Sequence, residues 1–93
     1  MLDELFGIIE DRKISKPAGS YTLSLFTAGE DLILQKIGEE AIEVIIASKS
    51  EGDQRLIEES ADLLYHLLVL LSYKGLTLQQ VKDELRIRHT DKS

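Results

Sequence analysis

The sequence contains no cysteine and a single proline. The absence of cysteine excludes disulfides, thiolate chemistry and zinc–sulfur sites. Pro17 lies in the segment Ser15–Ser20, where proline, glycine and serine cluster, and this segment is the clearest predicted loop of the chain. We therefore expect one helix to end before the loop and another to begin after it.

Basic residues are the scarcer charge, with 11 Lys and Arg against 17 Asp and Glu, a formal net charge of −6. A nucleic-acid-binding protein needs a basic face that neutralises phosphates, so this balance argues against that class. A phosphate-bearing substrate remains possible, because divalent cations bridge an acidic protein and an acidic ligand.

Long apolar runs are also missing. The longest, residues 63–71, is interrupted by His66 and is too short to cross a bilayer. The segment Met1–Glu4 contains two acidic residues and does not resemble the start of a signal peptide. We expect a cytoplasmic protein without membrane association, in which residues 1–93 form one domain.

Apolar residues recur at helical spacing along most of the chain, and no strand-like alternation of useful length occurs. Ser20 or Thr22 is the predicted N-cap of a short second helix, Asp53 that of a long helix, and Thr77 that of the last helix. The predicted helices cover residues 2–12, about 20–26, about 30–49, about 54–73 and the segment after Thr77. The sequence therefore predicts an all-α bundle of four to five helices.

The second long helix carries apolar residues around nearly its whole circumference: Leu63, Leu64, Leu67, Leu68, Val69, Leu70 and Leu71. A helix that is apolar all round must be surrounded by protein. Because a chain of this length barely encloses such a helix, we expect a second copy to pack against it in a homodimer. A compact monomer with a central helix is the alternative.

Two pairs of carboxylates mark the candidate site. Glu40 and Glu43 lie three residues apart on the first long helix, and Glu59 and Asp62 lie three residues apart on the second. This spacing places each pair on one helix face. The connection between the helices is short, so the helices should be antiparallel neighbours that bring the two pairs together.

Two members of this set fall beside apolar residues on the helical wheel. Glu40 lies in the arc of Ile33, Ile37 and Val44, and Asp62 is flanked by leucines and Val69. Burial of clustered carboxylates is costly unless a cation compensates them. Oxygen ligands favour Mg²⁺, or Mn²⁺ as a substitute.

The alternative is a pair of solvated acidic helix faces with ion pairs such as Lys36 with Glu40, because Glu-x-x-Glu is a common pattern. Two such pairs, both beside apolar stripes, favour a metal site over that alternative. A divalent ion bound by them would serve hydrolysis of a phosphoanhydride.

The pattern Glu39-Glu40-x-x-Glu43, followed after 15 residues by Glu59-x-x-Asp62, resembles the signature of the all-α, MazG-type nucleotide pyrophosphohydrolases. More narrowly, segments 35–41 and 58–66 resemble the phosphoribosyl-ATP pyrophosphohydrolases of histidine biosynthesis. Segment 20–22 and the tail 86–89 fit this family too, so the resemblance covers almost the whole chain.

The resemblance implies Mg²⁺-dependent cleavage of phosphoribosyl-ATP into phosphoribosyl-AMP and pyrophosphate by a homodimer of intertwined helices. It also implies four metal ligands, Glu40, Glu43, Glu59 and Asp62. Glu39 would be a further ligand or would orient the attacking water, so Glu39 and Glu40 are the candidate catalytic residues.

Several residues have weaker claims. Lys36 and Lys13 are candidate phosphate contacts. The alternative for Lys36 is an ordinary ion pair, and loop lysines such as Lys13 are more often simply solvated. His66 is either a partner of the carboxylate site or a hydrogen-bonded core histidine. The basic tail 86–89 either reaches across a dimer or complements the C-terminus of its own helix.

Two other functions remain open at this point. One is a house-cleaning hydrolase of another nucleoside triphosphate, such as dCTP or dUTP. Its base pocket would usually contain more aromatic residues than the three Tyr and two Phe found here. The other is a non-enzymatic helical dimerisation module.

Overall fold

The computed structural model describes residues 1–89, which form α-helices and no β-strand. The all-α prediction is therefore confirmed for this part of the chain. The helices are α1 (Leu2–Ser15), α2 (Tyr21–Ala28), α3 (Glu30–Ile46), α4 (Asp53–Tyr73) and α5 (Leu78–His89), and a π-helical segment, Ala47–Glu51, continues α3. No helix among residues 1–89 is long and apolar enough to span a membrane.

Two predicted caps are present. The Ser20 hydroxyl accepts a hydrogen bond of 3.1 Å from the Leu23 amide and caps α2. At α5 the capping is reciprocal. The backbone amide of Gln80 donates to Thr77 Oγ1 at 3.2 Å, and the backbone amide of Thr77 donates to Gln80 Oε1 at 2.8 Å. Each cap satisfies backbone donors that the first helical turn leaves without a partner.

Three predicted boundaries were wrong. The first helix continues beyond residue 12 to Ser15 and ends at Lys16, which adopts a left-handed conformation with φ of 50°. The α-helical part of α3 ends at Ile46 rather than at Lys49, because a π-helical turn follows it. Asp53 is the first residue of α4, whereas Gly52 occupies the N-cap position with φ of 90°, a conformation that glycine adopts without steric cost.

The core joins the first four helices and the start of α5. Its buried members are Ile9 of α1, Leu25 of α2, Ile33 of α3, Leu68 and Val69 of α4, and Leu78 of α5. Helices α3 and α4 form the main packed pair, and α1 and α2 cover this helical hairpin. The hairpin places the middle of α3 beside the first half of α4, where the acidic residues lie.

A part of the apolar surface of α4 is not covered within one chain. Leu68 and Val69 are buried, but Leu64 is 48 % and Leu67 38 % exposed. These two leucines line a groove of about 330 Å³ between α4 and α5, together with Leu2, Leu68, Leu70, Leu71, Leu78, Val81, Lys82 and Leu85. We call this the α4–α5 groove. Helix α5 itself buries only Leu78.

Candidate metal centre

Three carboxylates meet between α3 and α4. Glu40 comes from α3, Glu59 and Asp62 come from α4, and one oxygen of each lies within 4.8 Å of an oxygen of the other two. Glu59 is 6 % exposed, Glu40 is half-buried and Asp62 is exposed. The cluster therefore extends from the interior of the hairpin to the solvent, so a ligand can reach it from one side.

The helices place these side chains in a simple way. Glu59 and Asp62 are separated by one turn of α4 and share a face. Glu40 lies on the face of α3 that carries the buried Ile33 and the partly buried Ile37, which packs against the core. The expected juxtaposition of Glu40 with the α4 pair is found.

The expectation about which acids border apolar surface was half wrong. Glu40 is half-buried, as the helical wheel indicated, but Asp62 is exposed and Glu59 is the buried member of the α4 pair. The apolar residues that the wheel placed beside Asp62 do not cover it. Leu63 is only partly buried, and Val69 is buried but lies two helical turns further along α4.

The proximity of the acids alters the protonation of Glu40. Burial raises the pKa of Glu40 to about 7, and a hydrogen bond with Glu59 and the charges of Glu59 and Asp62 act in the same direction. The nearby Lys36 ammonium opposes the rise in this pKa. Without a cation, burial and then the neighbouring carboxylates thus favour the protonated form of Glu40.

Arg55, which sequence reasoning missed, contacts this cluster. Its Nη2 lies 2.5 Å from Oε1 of the buried Glu59, and its Nη1 lies 2.5 Å from Oε1 of the exposed Glu58. The signal was present in the sequence, since Arg55 and Glu59 have the i, i+4 spacing of a helical ion pair. This guanidinium supplies the positive charge that Glu59 needs at its buried position.

The other acidic candidates lie at the edge of the cluster. Glu39 is exposed, accepts a hydrogen bond of 3.1 Å from Gln35 and lies 3.8 Å from the Lys36 ammonium. Glu43 is half-buried one turn after Glu40, and it is not among the three carboxylates that approach within 4.8 Å. The roles predicted for Glu39 and Glu43 stay predictions.

Lys13 lies away from the cluster. Its ammonium donates a hydrogen bond of 2.9 Å to the backbone oxygen of Ser72 and forms an ion pair of 3.2 Å with Glu10. Ser72 follows Asp62 by ten residues, which corresponds to about 15 Å along an α-helix. Within one chain Lys13 joins α1 to the C-terminal part of α4, and its predicted contact with substrate phosphate stays a prediction.

The two remaining candidates have defined contacts. His66 is 5 % exposed, and its Nδ1 lies 2.8 Å from the backbone oxygen of Asp62, so it directly contacts a residue of the cluster. Arg86 and Arg88 form ion pairs within α5, with Asp83 at 3.4 Å and with Glu84 at 2.6 Å. Both roles considered for the basic tail stay predictions.

The donor set defines the chemistry of the centre. Three carboxylates supply only oxygen ligands, and they leave coordination positions for water and phosphate oxygens. Such a donor set fits a hard divalent cation and does not fit a soft one. Glu59 is buried, Glu40 has a raised pKa and Asp62 faces the solvent. This combination is expected of a cation site that is open to a ligand.

The sequence resembles one family over its whole described length. The family model described as phosphoribosyl-ATP pyrophosphohydrolase matches residues 2–89. A phosphoribosyl-ATP pyrophosphatase of Metallosphaera sedula is 53 % identical over 88 residues, which are 95 % of each chain. That of Pelotomaculum thermopropionicum is 52 % identical over 93 residues, covering 100 % of this chain and 95 % of the relative.

A longer relative contains the same region. The histidine biosynthesis bifunctional protein HisIE of Bacillus subtilis is 50 % identical over 91 residues, which are 98 % of this chain and 44 % of that protein.

Proposed function

The chain belongs to the phosphoribosyl-ATP pyrophosphohydrolase family, and from that premise we propose which of its residues carry out the reaction. The protein is a hydrolase that cleaves phosphoribosyl-ATP into phosphoribosyl-AMP and pyrophosphate in histidine biosynthesis. We place this reaction at the carboxylate cluster of Glu40, Glu59 and Asp62 and in the cytoplasm. The observation that carries the assignment is the approach of these three carboxylates within 4.8 Å.

We propose that Glu40, Glu59 and Asp62 hold Mg²⁺, for which Mn²⁺ can substitute. The set fits this ion because all donors are oxygens, Glu59 is buried, and burial together with the neighbouring negative charges raises the pKa of Glu40. Glu43 completes the set in this proposal, since it lies one helical turn from Glu40. When bound, the ion would polarise a phosphoryl oxygen and lower the pKa of an attacking water.

Three residues in and around the cluster would have separate roles in the reaction. Glu40 would give up its proton on cation binding, because a positive charge opposes the burial and the neighbouring negative charges that raise the pKa of Glu40. In this proposal Glu39, which is exposed and next to Glu40 in sequence, orients the attacking water as a general base. Lys36, whose charge acts on Glu40, is the candidate contact for a substrate phosphate.

We also propose that the protein is a homodimer whose second copy covers the α4–α5 groove. The groove is lined almost entirely by leucine and valine, and α5 buries a single residue in its own chain. Exposure of such an apolar surface to water is unfavourable in a monomer, whereas a second copy would bury the surface by symmetry.

The experiment measures Mg²⁺-dependent release of pyrophosphate from phosphoribosyl-ATP, with dCTP and dUTP as comparison substrates. We expect hydrolysis of phosphoribosyl-ATP and a loss of kcat/KM of at least about 100-fold in Glu59→Gln and Asp62→Asn. Asp53→Asn, an exposed carboxylate at the start of the same helix, is the matched control and should keep its activity. Preference for dCTP or dUTP would support the house-cleaning alternative, and full activity of both cluster variants would refute the proposed site.

A further inference from the structure

His66, one turn after Asp62 on α4, has a partner at each ring nitrogen. Because a carbonyl oxygen only accepts hydrogen bonds, Nδ1 donates to the backbone oxygen of Asp62 at 2.8 Å. In the neutral ring Nε2 is then an acceptor, and it lies 3.2 Å from the hydroxyl of Tyr21. Tyr21 therefore donates to His66, and His66 donates to the backbone of Asp62.

A second contact lies beside the first. The hydroxyls of Thr22 and Tyr65 form a hydrogen bond, so two consecutive residues of α2 pair with two consecutive residues of α4. The Tyr21 and Tyr65 rings stack with centroids 6.3 Å apart, and the Tyr65 and His66 rings meet edge to face with centroids 5.0 Å apart. The first turn of α2 is thus held against the turn of α4 that follows Asp62.

The two ends of this arrangement differ in burial. Tyr21 is 52 % exposed, whereas His66 is 5 % exposed. Loss of the Tyr21 hydroxyl alone would keep the ring and its stacking on Tyr65, but it would leave Nε2 of the buried His66 without its hydrogen-bond donor. The hydroxyl therefore acts mainly by fixing the His66 ring.

Resting on the metal centre proposed above, we propose that Tyr21 is a positioning residue that acts through His66 on Asp62. Asp62 is the exposed member of the cluster, and the burial that holds Glu59 in place does not hold Asp62. The hydrogen bonds from Tyr21 to His66 and from His66 to the Asp62 backbone fix the turn that presents the Asp62 carboxylate to Glu40 and Glu59. Groups that orient ligands in this way are usual around protein metal sites.

Two variants separate this role from general docking of α2. Tyr21→Phe removes the hydrogen bond to His66 and keeps the ring. Thr22→Val removes the hydrogen bond to Tyr65 and keeps both hydrogen bonds of His66. Each variant loses one hydrogen bond between α2 and α4, so their melting temperatures should fall by similar amounts.

The first measurement uses the metal-free protein. The chain contains two histidines, His66 and His89, so the imidazole ¹⁵N spectrum can be assigned with the exposed-site variant His89→Gln. We expect Tyr21→Phe to shift the Nε2 resonance of His66, and Thr22→Val to leave it unchanged. An unchanged His66 resonance in Tyr21→Phe would overturn the proposal.

The second measurement is calorimetric titration with Mg²⁺ alone. We expect the dissociation constant to rise about three- to tenfold in Tyr21→Phe and less than about twofold in Thr22→Val. Equal weakening in both variants would assign the effect to docking of α2 as a whole and would overturn the role of Tyr21. If the unaltered protein binds no Mg²⁺, the proposed metal centre fails, whereas the ¹⁵N spectrum still decides whether Tyr21 fixes His66.

Discussion

The Arg55 guanidinium lies 2.5 Å from the carboxylate of Glu59, and the two side chains differ sharply in exposure, at 48 % and 7 %. Arg55 thus brings a charge from the surface to a carboxylate that the hairpin has largely removed from water. An ionised carboxylate at such a position needs a compensating charge. In the metal-free protein Arg55 provides part of the compensation that we assign to a cation in the active enzyme.

Replacement of Arg55 should destabilise the metal-free protein more than the loss of an ordinary surface ion pair. For Arg55→Gln we expect the free energy of unfolding to fall, since the variant leaves the buried Glu59 carboxylate without its cationic partner. Urea denaturation with a chelator measures this change. Arg88→Gln, which breaks the exposed pair with Glu84, is the control, with an expected loss below about 0.5 kcal/mol. Equal losses would show that Glu59 does not depend on Arg55.

The stability of the metal-free protein should fall as pH rises from about 4.5 to about 7. The pKa of Glu40 is raised from 4.5 to about 7 in the folded protein, chiefly by burial. In this interval the folded state binds more protons than the unfolded state, so increasing pH favours unfolding. The lost stability amounts to about 1–2 kcal/mol after allowance for solvent screening.

Glu40→Gln isolates this contribution, because its side chain does not titrate. We expect the difference in unfolding free energy between Glu40→Gln and the unaltered protein to grow from pH 4.5 to pH 7 and to stay constant above it. Chemical denaturation in a chelator at several pH values measures the difference. A difference that is independent of pH would mean that Glu40 titrates normally in the folded protein.

Most of the fold and part of the site were predictable from the sequence, because both depend on short-range periodicity. The i, i+3 spacing of Glu59 and Asp62, together with the short connection to α3, was sufficient to bring Glu40 beside them. The hydroxyl caps at Ser20 and Thr77 were also predictable, since they act within one helical turn.

What the sequence did not reveal depends on which side of a helix the rest of the chain covers. The helical wheel showed apolar neighbours around Asp62, but in the single chain Leu63 is only partly buried and Asp62 is exposed. The contact between Tyr21 and His66 joins residues 45 positions apart and requires the angle between α2 and α4. No local pattern encodes that angle, so this contact could be found only in the structure.

Addition of Mg²⁺ should stabilise the protein by relieving repulsion within the carboxylate cluster. At a concentration 100 times the dissociation constant, the expected gain is about 2.7 kcal/mol, and Mn²⁺ should act in the same way. Asp62→Asn should behave oppositely: the metal-free protein becomes more stable, because one negative charge is removed, and the gain from Mg²⁺ shrinks. Thermal denaturation with and without the ion tests both, and a lowered melting temperature of metal-free Asp62→Asn would contradict a repulsive cluster.

A charge placed in the α4–α5 groove should dissociate the proposed homodimer. Leu67 lines the groove and is 38 % exposed in the single chain, so Leu67→Glu is tolerable in a monomer. In a dimer that buries the groove, the same glutamate would be desolvated on both copies by symmetry, and this cost opposes association. We therefore expect the unaltered protein to sediment as a dimer and Leu67→Glu as a monomer. Ile14→Glu is the matched control, since Ile14 is 77 % exposed and does not line the groove. If Leu67→Glu and Ile14→Glu sediment alike, the dimer forms through another surface.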